Sequence, residues 1–217
     1  MQSALPRRRN KITHWGINYR TFLIPLIALL VFALPVRAQI PAASSKYKET
    51  VIREAHAKGG LQSPVALFAG QLTQESGWKP TAESVTGAQG LAQFEPQTAQ
   101  WIARVYPKQL GPAAPLDAGW AIRALVWYDY NLYGQLASFK DVGAVSDRWA
   151  ASLSAYNGGL GWVYRDQKVV TCDRSLWWSC VALYHDGRTP SNWLQNRDYP
   201  EVIMLKYAPL YVKAGWN

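Results

Sequence analysis

The stretch GQLTQESGWKP, residues 70–80, places a carboxylate where a helix should be burying an apolar side chain. Phe68, Leu72 and Glu75 are spaced by four and then three, which puts them on one stripe of an α-helix with Glu75 a turn beyond Leu72. A carboxyl on that stripe faces inward or into a cleft. Desolvation there disfavours the charged form, and a place in the last helical turn adds the negative end of the macrodipole, so both effects favour a protonated acid. That is what a general acid needs. The bland alternative is a frayed helix end beside Gly77, with Glu75 turned into water. His56 and His185 lie far apart with no His-x-x-x-His spacing, so no metal centre and no Cys–His peptidase are expected.

A helix must exist to hold Glu75 there. Its expected start is Ser63 as N-cap with Pro64 at the first helical position; it runs through Val65, Leu67, Phe68, Ala69 and Leu72 and stops at Gly77. Before it, Lys46, Lys48, Glu49 and Arg53 alternate with Tyr47, Val51, Ile52 and Ala55 at helical spacing up to Gly59 and Gly60, giving a first amphipathic helix. Residues 77–90 read as a loop. Further helical patterns cover 97–106, 117–133, 146–156 and 199–212, while 169–195 is aromatic and irregular around Cys172 and Cys180. No stretch alternates as a strand should and no repeat appears, so the expectation is a mainly α domain with little or no sheet.

Arg7, Arg8, Arg9, Lys11 and Arg20 precede an apolar run, Phe22 to Val36, that ends in Val36-Arg37-Ala38. This has the shape of an export signal cut after Ala38; an uncleaved signal anchor is the alternative, though Pro25 and Pro35 interrupt the run and it falls short of the ~20 residues a span needs. The expected organisation is a leader over 1–38, a Pro/Ala/Ser linker over 39–46 and one domain over 47–217. Six of the 23 Lys and Arg and none of the 14 acids lie in the leader, so the remainder carries 17 bases against 14 acids, a net +3. No basic run survives to bind nucleic acid; a mild attraction to anionic surfaces such as a cell wall remains. A monomer whose membrane contact is limited to the leader is expected. In an exported chain the only two cysteines, Cys172 and Cys180, are expected to form a disulfide.

Fifteen positions after Glu75-Ser76-Gly77 comes GLAQFEPQTA, Gly90 to Ala99, and later SAYNGG, Ser154 to Gly159. This order and spacing resembles the soluble lytic transglycosylases of bacteria and phages, with a weaker match in NRDYPEV, Asn196 to Val202; the resemblance covers about residues 47–213. It implies a lysozyme-like (goose-type, lytic transglycosylase) helical domain. It also implies an enzyme without metal or organic cofactor that acts on peptidoglycan glycan strands in the periplasm or at the cell wall. Glu75 would be the catalytic acid and then base, and Ser76 beside it would contact substrate. Ser84 would hydrogen-bond near the reacting sugar, Gln93 would contact substrate, Tyr156 would hold the Glu75 carboxyl, Asn157 would shape the same wall, and Tyr199 would line the cleft. Each has a plainer alternative as a loop polar group, capping group, core aromatic or helix terminator.

The reaction so implied cleaves the β-1,4 bond between N-acetylmuramic acid and N-acetylglucosamine and closes a 1,6-anhydro ring, using one carboxyl twice. Two departures stand out: Ala92 where the family carries Met, and Glu95 at a second usually apolar position. Glu95 is either a solvated acid before Pro96 or a second carboxylate that would make this a lysozyme-type hydrolase. A wall-binding module without chemistry is a third class. The aromatic supply, 11 Trp and 12 Tyr with Trp162, Trp177, Trp178, Tyr184 and Trp193 near the cysteines, suits either sugar stacking or core packing. Phage lysis, virion, wall-remodelling and secretion-system enzymes share such a domain; an export leader favours lysis or remodelling.

Overall fold

The computed structural model describes residues 39–141 and 146–217. Its helices are α1 (Lys48–Gly59), α2 (Val65–Ser76), α3 (Pro96–Val105), α4 (Pro107–Leu110), α5 (Ala118–Gln135), α6 (Asp147–Gly158), α7 (Leu160–Val169), α8 (Pro190–Glu201) and α9 (Ala208–Lys213). Among the described residues no sheet forms; only the isolated bridges Glu83–Gln89 and Gln89–Phe94 occur.

Val65 to Leu72 are buried without a break, as befits a helix enclosed on all sides. α2 packs on α1 and, across from it, on the π-helical turn Val202–Tyr207 and α9. Gly70 allows the close approach: a Cβ there would lie 3.2 Å from the Ala208 amide nitrogen and 3.3 Å from the Ile203 carbonyl. Burying each large apolar side chain of this helix is worth about 1.5–3 kcal/mol, so α2 is fixed by packing rather than by helix propensity.

Several starts are set by caps. Asp117 accepts from the Trp120 amide at 2.7 Å, Ser146 from Trp149 at 3.2 Å and Thr189 from Asn192 at 3.4 Å, opening α5, α6 and α8. α2 departs from expectation. Pro64, with ψ 69°, is itself the capping residue, and the Ser63 hydroxyl is engaged instead by the Tyr130 hydroxyl at 2.8 Å. The stretch expected as a linker winds into a 3-10 helix, Ala42–Tyr47, with Ser44 and Tyr47 buried. Three further elements lie outside the helical patterns of the sequence: the single turn α4, α7, and the start of α8, which begins at Thr189-Pro190 within the irregular 169–195 stretch. Pro200 then interrupts the hydrogen-bond ladder at the end of α8, and the next turn widens into a π-helix.

Cys172 and Cys180 are joined by a disulfide. On a loop-entropy basis such a short closure contributes about 2–3 kcal/mol, here to a segment whose Trp177 and Val181 are fully buried. Trp177 is therefore core rather than a sugar platform. Asp147, at the start of α6, receives the Trp177 and Trp178 amides at 2.6 and 3.0 Å and ties this segment to the bundle. The leader, its cut after Ala38 and the signal-anchor alternative lie outside the described residues. Among the described residues no helix is long and apolar enough to cross a membrane.

Candidate active site

Glu75 occupies the last turn of α2, and that turn is pinned rather than frayed. Gly77 closes the helix in the left-handed region at φ 57°, and Trp78 follows at φ 68°, a conformation unfavourable for a bulky residue. Trp78 stays there because its ring is buried against Tyr211 and Trp216 and its Nε1–H reaches the Tyr211 hydroxyl at 2.7 Å and Thr73 Oγ1 at 2.9 Å. The Ser76 hydroxyl donates to the Leu91 carbonyl at 2.8 Å. Ser76 thus does not line the cleft, as a substrate contact would; it fastens the helix end to the loop across from it.

The Glu75 carboxyl opens on a cleft of about 490 Å³ whose walls include Ser84, Gln93, Glu95, Tyr128, Tyr156 and Asn157. A larger groove of about 650 Å³, beside Tyr130, Tyr133 and Trp149, holds none of the motif residues, so volume alone does not pick the site. Burial pushes the Glu75 carboxyl from 4.5 up to about 7, against the opposing pull of a hydrogen bond from the Tyr199 hydroxyl to Oε1. The principal cause is desolvation, not a neighbouring charge.

The two tyrosines exchange the roles expected of them. Tyr199 is buried behind Glu75 and holds its carboxyl, whereas the Tyr156 hydroxyl donates to the Ala92 carbonyl at 2.7 Å and its ring forms part of the cleft wall. The reason is geometric. α6 presents Tyr156 to the 90–94 loop, while Tyr199 comes from α8, which packs on α6 and leads into the turn that covers α2.

The loop opposite Glu75 is held by its own polar groups. Ser84 Oγ accepts from the Ala88 amide at 2.9 Å and shares a hydrogen bond with Thr86, so Ser84 lines the cleft as a turn-forming residue. Gln93 sits at φ 48°, a strained place for a non-glycine residue; its Nε2 donates to the Gly90 carbonyl at 2.9 Å and to Ala82 at 3.2 Å. Gly90, at φ 77°, has no substitute, since a Cβ would lie 1.8 Å from the Pro115 carbonyl oxygen. Glu95 is exposed yet lines the same cleft. Asn157, in the last turn of α6, lies on the cleft wall and accepts from Asn196 Nδ2 at 3.1 Å.

Two neighbouring residues on α5 were not anticipated: Tyr128, on the cleft wall, and the buried Asp129. Asp129, on α5, is fully buried, and burial together with the nearby Glu75 carries its carboxyl well above the ordinary range. Gln71, one turn before Glu75 on α2, donates to Asp129 Oδ1 at 3.4 Å. Among the described residues Asp129 Oδ2 and Gln71 Oε1 are buried without partners. The available signal was a polar pair interrupting two buried helical stripes. Among the described residues no His, Cys, Asp and Glu cluster could hold a metal ion.

The transglycosylase SLT domain family matches residues 50–175, more than half of the chain. No curated protein matches it. Among solved structures, the 70 kDa soluble lytic transglycosylase Slt70 from Escherichia coli aligns at 23% identity and a TM-score of 0.54, covering 78% of this chain and 24% of that one. An inactive Glu-to-Gln mutant of the lytic transglycosylase Slt from Pseudomonas aeruginosa aligns at 22% identity and TM-score 0.53, with the same coverages. A complex of a 70-kDa soluble lytic transglycosylase with bulgecin A aligns at 23% and 0.55, covering 81% of this chain and 25% of that one. The chain spans about a quarter of the length of these structures. The helical architecture is the lysozyme-like lytic transglycosylase fold. With the motif residues 75–99 and 154–159 inside the matched span, the chain belongs to the transglycosylase SLT domain family.

Proposed function

We propose that this protein is a peptidoglycan lytic transglycosylase with Glu75 as its one acid and base. The observation that carries the reading is the buried Glu75 carboxyl, raised by that burial to about 7, facing a cleft of glycan-accommodating size. Protonated Glu75 donates to the glycosidic oxygen as the bond from muramoyl C1 breaks. The resulting carboxylate takes the proton of the muramoyl C6 hydroxyl as that oxygen bonds to C1, which closes the anhydro ring and restores the acid. Tyr199 orients the carboxyl through both steps. Gln93, Tyr156 and Asn157 shape the walls, and no cofactor enters.

A second reading, a lysozyme-type muramidase, is favoured by Glu95 on the cleft wall. Two features support the transglycosylase instead: Glu95 is exposed, and the rise at Glu75 comes chiefly from burial rather than from a like charge. An intramolecular hydroxyl also outcompetes bulk water by proximity. Mass spectrometry of muropeptides released from purified peptidoglycan should find 1,6-anhydromuramic ends, and Glu95→Gln should keep most activity. Reducing muramic ends together with collapse of activity in Glu95→Gln would establish the hydrolase. Absence of any release would leave a wall-binding module.

The leader motivates the further proposal that the enzyme works as an exported monomer at the cell wall. N-terminal sequencing of exported protein should begin at Gln39; an intact Met1 on membrane-bound protein would mean a signal anchor.

A further inference from the structure

A second groove, about 330 Å³, continues from the Glu75 cleft: Asn157, Gly158 and Gln195 line both. Its one charged lining residue is Arg188, whose side chain is only 5% exposed. Nearby, two guanidinium groups share one fully buried carboxylate, Asp166. Arg197 uses it fully, with Nη2 on Asp166 at 2.6 Å and further donations to Ala182, Tyr184 and Asn196. Asp166 Oδ1 is taken by the Asp186 amide. Arg188 is left with a 3.6 Å approach to Asp166, and its Nε and Nη2 are buried without an acceptor among the described residues. Two buried cations thus share one anion, which leaves a positive charge uncompensated; that is costly, and an anion meeting Nη1 from the groove would offset it.

The surroundings admit one. Gly158 leaves the guanidinium room to reach the groove, since a Cβ there would lie 2.7 Å from Arg188 Nη1 and 2.6 Å from Asn196 Nδ2. Thr189 and Asn192, in the first turn of α8, line the same groove and add the positive end of a helix dipole. The Trp162 ring, its centroid 5.1 Å from the guanidinium carbon, gives Arg188 a cation–π contact and holds it at the groove.

We infer that Arg188 forms a carboxylate-binding subsite at the end of the catalytic cleft, reading the acidic branch carried by the muramoyl sugar; this rests on peptidoglycan being the substrate. The carboxylate has two possible sources, the free lactyl group of a stripped strand or the acidic residues of an attached peptide stem. A charge-assisted contact of this kind, made through Nη1, is worth roughly 10- to 100-fold in affinity.

The test measures binding of glycan strands to the full chain carrying Glu75→Gln, so that it does not depend on turnover. Three ligands are compared: stem-bearing strands, amidase-stripped strands, and stripped strands whose lactyl carboxylates are converted to amides. Neutralised strands should bind roughly 10- to 100-fold more weakly than whichever acidic form supplies the carboxylate. Adding Arg188→Met should erase that difference, and Arg188→Lys should restore part of it. Equal affinity for all three ligands overturns the subsite without any variant of Arg188, as does an equal loss on neutralised and acidic strands in Arg188→Met. Failure of the unmutated protein to cleave peptidoglycan, with the carboxylate preference intact, would strike the catalytic reading and leave the subsite standing.

Discussion

Glu75→Gln is expected to remove lytic activity by at least ~100-fold, and up to ~10⁴-fold, while leaving the fold intact. Gln keeps the volume and can still accept the Tyr199 hydroxyl, but it cannot give up and retake a proton. The same substitution should stabilise the protein in alkali. The folded Glu75 titrates at about 7 against an ordinary 4.5, so its contribution favours the fold fully below about pH 4.5 and is lost as pH rises through 7. Gln carries no such loss. Above pH 8 the variant should gain up to about 3 kcal/mol over the parent, less whatever cleft water relieves. Activity of the parent should fall along the same limb, because the general acid must enter the reaction protonated. Turbidity assays of peptidoglycan across pH, with urea unfolding of both proteins at pH 5 and 9, check all three outcomes. A loss smaller than ~100-fold, or equal stability of the two proteins at both pH values, would remove Glu75 from the role.

Much of this was legible before the fold was known. The four-and-three spacing of Phe68, Leu72 and Glu75 already set the carboxyl on a buried stripe, and Gly77 marked the helix end, because both are local rules of helix geometry. What escaped was non-local. Nothing within a few residues of Tyr156 or Tyr199 tells which hydroxyl reaches Glu75, since that depends on how α8 crosses α6 and how the π turn after Pro200 lies on α2. Ser76 and Gln93 stand inside motifs that resemble a substrate-binding pattern, yet their side chains hold the loop backbone. α7 was hidden for a different reason: it follows directly on Gly158 and Gly159, which read as a helix end, and carries Gly161 in its first turn, so only packing beside α6 reveals a helix there. Family matching stops at residue 175, short of α8; the weaker NRDYPEV resemblance brings Tyr199 to the cleft, and geometry joins it to Glu75.

Asp129→Asn should leave activity within a few-fold of the parent and make the fold less sensitive to alkali. The two partnerless atoms, Asp129 Oδ2 and Gln71 Oε1, flank an existing Gln71-to-Asp129 hydrogen bond, so a proton on Oδ2 would satisfy both at once in a cyclic acid–amide pair. A neutral Asp129 also spares Glu75 a buried like charge one turn away from Gln71. Because the folded carboxyl is raised above its unfolded value near 3.9, its stabilising effect is complete below that pH and declines as pH rises towards the folded value. Over that interval the parent's unfolding constant should rise about tenfold per pH unit relative to Asp129→Asn, whose amide keeps the paired geometry without titrating. Comparing the two proteins, rather than the parent alone, cancels the parallel contribution of Glu75. The alkaline limb of activity should stay near pH 7 in the variant. If Asp129 were ionised in the fold, the comparison would run the other way: the stability difference would not fall with pH, and Asp129→Asn would draw the limb down by relieving Glu75 of a neighbouring negative charge.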